Sequence, residues 1–165
     1  MTGIRLASLS DLDRIDRIEA RSFSRDRFPR RNLRRMLKGG RTRFLLADAA
    51  AGQAAGEGGY LALARRRGCA VARVYSLAVD PASRGHGLAA GLLAAAAEQA
   101  RRDGCDRLRL EVREGNATAV RLYRDAGFFL RGRREAYYDD GETALLFEAD
   151  LAAKEAPRQL ESPPS

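Results

Sequence analysis

Between Ser76 and Arg102 the chain changes character twice. Ser76-Leu77-Ala78-Val79 is small or apolar throughout, and Asp80-Pro81 interrupts it. Arg84-Gly85-His86-Gly87 follows as a glycine-bearing turn, and then Leu88 to Arg102 runs rich in alanine, with Leu88, Leu92 and Ala96 on one stripe. The first run reads as a strand covered on both faces. The last reads as a helix. A buried strand that feeds a glycine loop and then a helix commits the chain to an α/β fold with helices laid on a sheet. The same order makes an anion site, because the amides at a helix start have no intrahelical partner. Gly85 and Gly87 let the backbone approach a phosphate closely. No Gly-Lys-Ser/Thr follows, so this is not a Walker loop, and the third glycine of the dinucleotide fingerprint is missing. Taken alone, Gly-x-Gly also fits a plain tight turn.

The flanking sequence supplies the rest of the sheet. Ile4 to Ala7 reads as a short strand, and Ser10 with Asp13 reads as a capping box opening a helix that runs to about Phe23 through Leu12, Ile15 and Ile18. Pro29 starts a second helix, striped by Leu33, Met36 and Leu37 and ended by Gly39-Gly40. Arg43–Asp48 and Gly59–Arg66 read as a hairpin around a mobile loop, Ala49–Gly58. Ala70–Val79 is the next strand. Arg107–Arg113 alternates, with Leu108, Leu110 and Val112 on one face. Asn116 caps a helix through Ala126, closed by Gly127. Phe128–Tyr138 and Thr143–Leu151 form a final hairpin around Asp139-Asp140-Gly141. The order is β-α-α-β-β-β-α-β-α-β-β, an α/β sheet with mixed strand directions and helices on both faces. Residues 1–151 are expected to form one domain, and 152–165, with three prolines, a disordered tail.

Charge narrows the partners. The net charge is +8, and Arg25 to Arg43 holds nine basic residues against one acid, so the remainder is near neutral. Such a segment is either a solvated helix face or a contact for an acidic partner or a ribosome. A nucleic-acid module would want interleaved aromatics, zinc ligands or helix-turn-helix spacing, and none is present. No run is long and apolar enough for a membrane helix, and the N-terminus shows no export pattern, so a cytoplasmic location is expected. Cys69 and Cys105 make neither a disulfide framework nor a metal quartet, and no metal is expected.

Arg84-Gly85-His86-Gly87-Leu88-Ala89 resembles the Arg/Gln-x-x-Gly-x-Gly/Ala loop of the GCN5-related N-acetyltransferase (GNAT) superfamily, which binds the pyrophosphate of acetyl-CoA. Leu77-Ala78-Val79-Asp80-Pro81 resembles its fourth strand, and Leu110-Glu111-Val112-Arg113 its fifth. Asn116 to Tyr123 and Gly127-Phe128 resemble its Asn-x₆-Tyr…Gly-Phe helix. The resemblance covers about Ile4 to Leu151. It implies a single-domain fold with a mixed, mostly antiparallel sheet and acetyl-CoA as co-substrate. Within the superfamily the chain is most similar to the ribosomal-protein-alanine N-terminal acetyltransferases, by the Leu-Glu-Val-Arg strand, the Asn-to-Tyr helix and Arg134-x-x-Tyr137-Tyr138 before Asp140-Gly141-Glu142. It departs from them on the acceptor side. Ser22 to Phe28 replaces their Pro-Trp-Ser segment, and Thr143 stands where they tend to have Asp. The implied activity is acetylation of a protein N-terminal α-amine. A lysine side chain or a small amine is the alternative acceptor, and a basic nucleic-acid or ribosome-binding module without catalysis is a distant one.

The chemistry needs a base for the amine and a proton donor for the leaving thiolate. Glu111, facing away from Leu110 and Val112, is either that base or a strand carboxylate paired with Arg109 or Arg113. Tyr123, by resemblance, presents its hydroxyl to the sulfur; otherwise it is a core tyrosine. The resemblance assigns backbone groups of Leu77 and Val79 to the pantetheine arm and acetyl group, and Arg84, Gly85, His86, Gly87, Leu88 and Ala89 to the pyrophosphate. His86 occupies a variable position of the glycine loop, with no neighbouring Asp, Glu, Ser or Cys pattern in the sequence that marks a catalytic base, and is read as a donor to a phosphate. Asn116 caps its helix, contacts the CoA arm, or does both. Tyr137 and Tyr138 either wall the acceptor groove or pair across strands.

Overall fold

A computed structural model describes residues 3–23, 26–49 and 56–152. The strands are β1 (Ile4–Leu6), β2 (Thr42–Ala47), β3 (Gly59–Arg65), β4 (Val71–Val79), β5 (Arg107–Arg113), β6 (Phe129–Arg134) and β7 (Ala144–Asp150). They form one sheet in the order β1-β2-β3-β4-β5-β7-β6. Every neighbouring pair is antiparallel except β4 with β5. That parallel pair needs a crossover, and α3 (Leu88–Arg102) supplies it. The helices α1 (Leu12–Ser22), α2 (Arg30–Lys38) and α4 (Ala117–Asp125) complete the element order read from the sequence.

Two cores hold the layers together. On one face Leu88, Leu92, Leu93 and Ala96 of α3 and Tyr123 of α4 pack on Leu61, Leu63, Leu108 and Leu110. On the other, Ile15 and Ile18 of α1 and Leu33 of α2 pack on Phe44, Leu46 and Tyr60. Each large aliphatic side chain so buried contributes about 1.5–3 kcal/mol. Among the described residues no helix is long and apolar enough to cross a membrane.

Local expectations shift in two places. The capping box lies at Ser8 and Asp11, not at Ser10 and Asp13. Asp11 accepts the Ser8 N–H at 2.8 Å and is gripped by Arg5, so a 3-10 turn (Leu9–Asp11) precedes α1. Asp13 instead pairs with Arg30. At the other end β6 stops at Arg134, short of the predicted Tyr138. Ala136 takes a left-handed backbone conformation (φ 50°), which breaks the strand. The Asp139-Asp140-Gly141 turn is present, closed by Gly141 N–H on the Tyr138 carbonyl at 2.8 Å, but it sits inside a longer loop. Most of the loop expected at Ala49–Gly58, and the tail from residue 153, lie outside the described residues.

The decisive irregularity is in β4. Ala62 pairs with Ser76 and Leu63 with Val74, leaving Tyr75 as an extra, bulged residue. Below the bulge β4 pairs with β5 only at Val71–Arg73. Above it the two strands part, and a gap opens through the middle of the sheet.

Candidate active site

The gap forms a cleft of about 530 Å³, lined among others by Leu77, Glu111, Asn116, Tyr123, Tyr137 and Tyr138. Six side chains singled out from the sequence thus converge. The Asp80 N–H donates to the Gly58 carbonyl at 2.8 Å, so Ala78 and Asp80 turn their backbone groups towards β3. By alternation Leu77 and Val79 turn theirs towards the gap. The Val79 carbonyl accepts from Arg84 Nε at 3.2 Å and from Ser22 Oγ at 3.3 Å.

Glu111 and Tyr123 reach the gap from opposite faces of the sheet. Leu108, Leu110 and Val112 of β5 are buried under α3 and α4, which puts Glu111 on the α1 side. Its expected partners are taken: Arg109 binds Glu148, and Arg113 binds Asp26, Asp140 and Glu142. Glu111 instead accepts from Arg73 across the gap and from Tyr137, with Arg134 at 3.8 Å. That bond to Glu111 also holds the Tyr137 phenol above its usual pKa. Tyr123 is buried against Phe128 and Phe147 on the α3–α4 side. Burial, helped by nearby Tyr138, pushes its phenol up to about 12, so it stays a proton donor.

Beyond β4 lies the glycine loop. Gly85 and Gly87 both take left-handed φ values (84° and 75°), and the space where a Cβ would project from either is open. Gly87 is the N-cap of α3 and offers no capping side chain, so the first-turn amides, including those of Leu88 and Ala89, point outward without a side-chain cap. His86 is exposed on this loop and does not line the cleft. The loop is pinned from below. Asp80 is buried; although burial opposes it, bonds from the Glu57 and Ala82 N–H groups and from Arg21 hold its carboxyl below the usual range. Ser83 Oγ accepts the Gly58 N–H at 3.0 Å. A bare helix terminus with open space over two glycines, beside a strand with outward backbone groups, fits a pyrophosphate and an extended pantetheine arm. Asn116 caps α4 by accepting the Ala119 N–H at 3.1 Å.

Tyr137 and Tyr138 meet edge to face with ring centroids 5.1 Å apart, in the loop and not across strands. Arg113 lies over the Tyr138 ring at 4.0 Å. Burial lifts the Tyr138 phenol to about 12, against the opposing Arg113 charge.

Two networks escaped the sequence reading. Arg113 gathers Asp26, Asp140 and Glu142 from two loops, which no local pattern announces. The second is Glu19, fully buried, which accepts from Tyr60 Oη and from the Phe28 N–H at 3.0 Å. Tyr60 in turn lies 3.0 Å from Ser76 Oγ, on the cleft wall. Here a signal existed: Glu19 falls four residues after Ile15 and seven after Leu12, on the apolar stripe of α1.

Residues 10–128 match the acetyltransferase (GNAT) family. The chain belongs to that family. Its fold superposes on the ribosomal-protein-S18-alanine N-acetyltransferase of Escherichia coli with a TM-score of 0.79, at 24% identity, over 92% of this chain and 94% of that one. By sequence it is 42% identical over 67 residues to the ribosomal protein bS18-alanine N-acetyltransferase of Haemophilus ducreyi, covering 41% of this chain and 46% of that one. It is also 42% identical over 62 residues to the mycothiol acetyltransferase of Brachybacterium faecium, covering 38% of this chain and 19% of that one. The chain spans about a fifth to a half of the length of the curated relatives it matches.

Proposed function

We propose that the chain transfers an acetyl group from acetyl-CoA to a protein N-terminal α-amine. One observation carries this reading: Glu111 and Tyr123 enter a single cleft from opposite faces of the sheet, so an acceptor amine and a thiol leaving group meet different proton-handling groups. When bound, acetyl-CoA supplies the acetyl group as an activated thioester. The outward amides of Leu88 and Ala89, with Gly85, His86, Gly87 and Arg84 around them, bind its pyrophosphate. Backbone groups of Leu77 and Val79, with Asn116, orient the arm. A carboxylate has about four lone-pair sites. Arg73, Arg134 and Tyr137 use about three of those on Glu111, which leaves a place for the acceptor ammonium or for a water between them. Glu111 accepts the proton that frees the amine lone pair. Tyr123 Oη keeps its proton and donates a hydrogen bond to the departing sulfur. Tyr137 and Tyr138 wall the acceptor side.

Similarity to the bS18-alanine enzymes supports an N-terminal acceptor. Similarity to mycothiol acetyltransferases supports a second reading, a small amine. Mass spectrometry with acetyl-CoA and one peptide in two forms, N-terminus free or blocked with an internal lysine, separates the acceptors. Acetylation of the free N-terminus alone is expected. Modification of the blocked peptide at its lysine, or of neither form, would overturn the N-terminal reading.

A further inference from the structure

The face of the sheet beside Glu111 that α1 and α2 leave uncovered holds a groove of about 720 Å³. Its lining includes the guanidiniums of Arg41, Arg65, Arg66, Arg109, Arg131 and Arg134, and it shares Arg73, Tyr75, Leu110 and Glu111 with the cleft. Among the described residues two carboxylates pair with these arginines. Glu148 takes Arg109 and Arg131, with Arg107 at 3.7 Å; Glu111 takes Arg73 and Arg134. Arg65 spends a donor on the Asp103 backbone carbonyl. Arg41 and Arg66 pair with no carboxylate among the described residues. Guanidiniums stay charged at any working pH, so the groove keeps a positive excess. Their donors are within reach of solvent: Arg131 and Arg134 are 47% and 57% exposed. Alternation along β5 explains the arrangement, since Arg107, Arg109 and Glu111 share the face opposite the α3 core.

We infer that this groove docks the acceptor chain beyond its reactive amine and selects polypeptides with Asp or Glu among their first residues. The inference rests on the reading of the cleft as a site of amine acetylation. An extended peptide advances ~3.3 Å per residue and neighbouring strands lie ~4.8 Å apart, so four residues cover the two strand spacings from Glu111 on β5 to the end of β3, where Arg65 and Arg66 stand beside Arg41, and equally the two spacings to Arg131 and Arg134 on β6. Guanidinium forks match carboxylates in this setting. Nucleic acid fits less well, because single strands need successive aromatic platforms and the groove offers one exposed ring, Tyr75. The basic segment contributes through Arg41, whereas no α2 side chain lines the groove or the cleft.

The test uses peptides that begin alike and carry Asp/Glu, Ser/Gln or Lys at the next three positions. Binding to the CoA-saturated protein is read by fluorescence anisotropy, and acetylation as kcat/KM. The acidic peptide should bind and react about tenfold better than the neutral one, a preference of the size a few exposed ion pairs give. High salt should erase it, since the Debye length shrinks from ~8 Å to ~3 Å at 1 M. Arg41→Glu with Arg66→Glu should bring the acidic peptide down to the neutral value, and Arg131→Gln should do so in part. Arg31→Glu with Arg34→Glu on α2 changes net charge equally and should leave the preference intact. Equal binding of all three peptides overturns the groove while N-terminal acetylation stands. Preferential acidic binding without acetylation of any peptide keeps the groove and removes the acetylation reading. Displacement of the acidic peptide by poly(U) at lower concentration than by free acidic peptide overturns it in favour of RNA.

Discussion

Arg113 and Asp26 are 87 residues apart in sequence and joined by two hydrogen bonds, Nε to Oδ2 at 2.7 Å and Nη2 to Oδ1 at 2.8 Å. The same guanidinium holds Asp140 and Glu142 at 2.9 Å each and lies over Tyr138. One side chain at the end of β5 therefore ties the α1–α2 connection to the β6–β7 connection at the mouth of the cleft. Its hydrogen bond to Asp26 above all, with those to Glu142 and Asp140, holds the Arg113 guanidinium above its ordinary pKa, against the opposing effect of burial.

Arg113→Met should loosen both loops together. With Arg113 only 19% exposed, the cost exceeds the ~0–1 kcal/mol of a surface pair and should reach about 1–3 kcal/mol. The acceptor KM should rise, while the KM for acetyl-CoA stays put, because the glycine loop hangs from Asp80 and Ser83 instead. Steady-state kinetics and a thermal melt check this. Equal rises in both KM values would mean the network is general scaffolding.

Glu111→Gln should lower kcat by about 10²–10⁴-fold with little change in acetyl-CoA KM. Tyr123→Phe should cost less, since it removes one hydrogen bond to the sulfur. The two differ in pH behaviour. The Tyr123 phenol loses its proton only near 12. Below that value it is neutral, so the Tyr123→Phe deficit should be a constant factor across neutral and mildly alkaline pH. A deficit that closes within that range would mean the hydroxyl is not the donor.

Gly87→Val tests the anion site. A β-branched residue at φ 75° is strained by about 1–2 kcal/mol, and its side chain enters the open space over the α3 terminus. Acetyl-CoA affinity should fall at least about tenfold, equivalent to ~1.4 kcal/mol. Calorimetry on a variant that still melts cooperatively gives the answer. Unchanged affinity would move the pyrophosphate elsewhere.

The elements with strong local periodicity are legible in the sequence: α3 and β5 run over Leu88–Arg102 and Arg107–Arg113 as read. The glycine loop is legible for the same reason, since a strand, two glycines and a helix are adjacent in the chain. What alternation cannot give is the partner on the next strand. It put Glu111 on the correct face but offered Arg109 and Arg113 as partners, and the register brings Arg73 and Arg134 instead. The bulge at Tyr75 and the left-handed Ala136 are similarly silent. Neither a tyrosine within a strand nor an alanine after one announces such a conformation in the sequence.

Glu19 offers a stability test with a defined sign. Desolvation raises its carboxyl pKa above the ordinary 4.5, against the bonds from Tyr60 and the Phe28 N–H that favour the charged form. A group whose folded pKa exceeds its unfolded one contributes stability fully below the unfolded value and loses it as pH rises through the folded value. The stability of the parent protein minus that of Glu19→Gln should therefore shrink on going from about pH 4.5 to about pH 8. Taking the difference cancels Asp80 and Glu148, whose lowered carboxyl pKa values act in the opposite direction. Tyr60→Phe removes one donor to the charged carboxylate and should steepen the loss. Thermal melts of the three proteins across this range give the slopes. A parent-minus-variant difference that grows with pH would mean that the bonds from Tyr60 and Phe28 outweigh desolvation, and that Glu19 is held charged inside the fold.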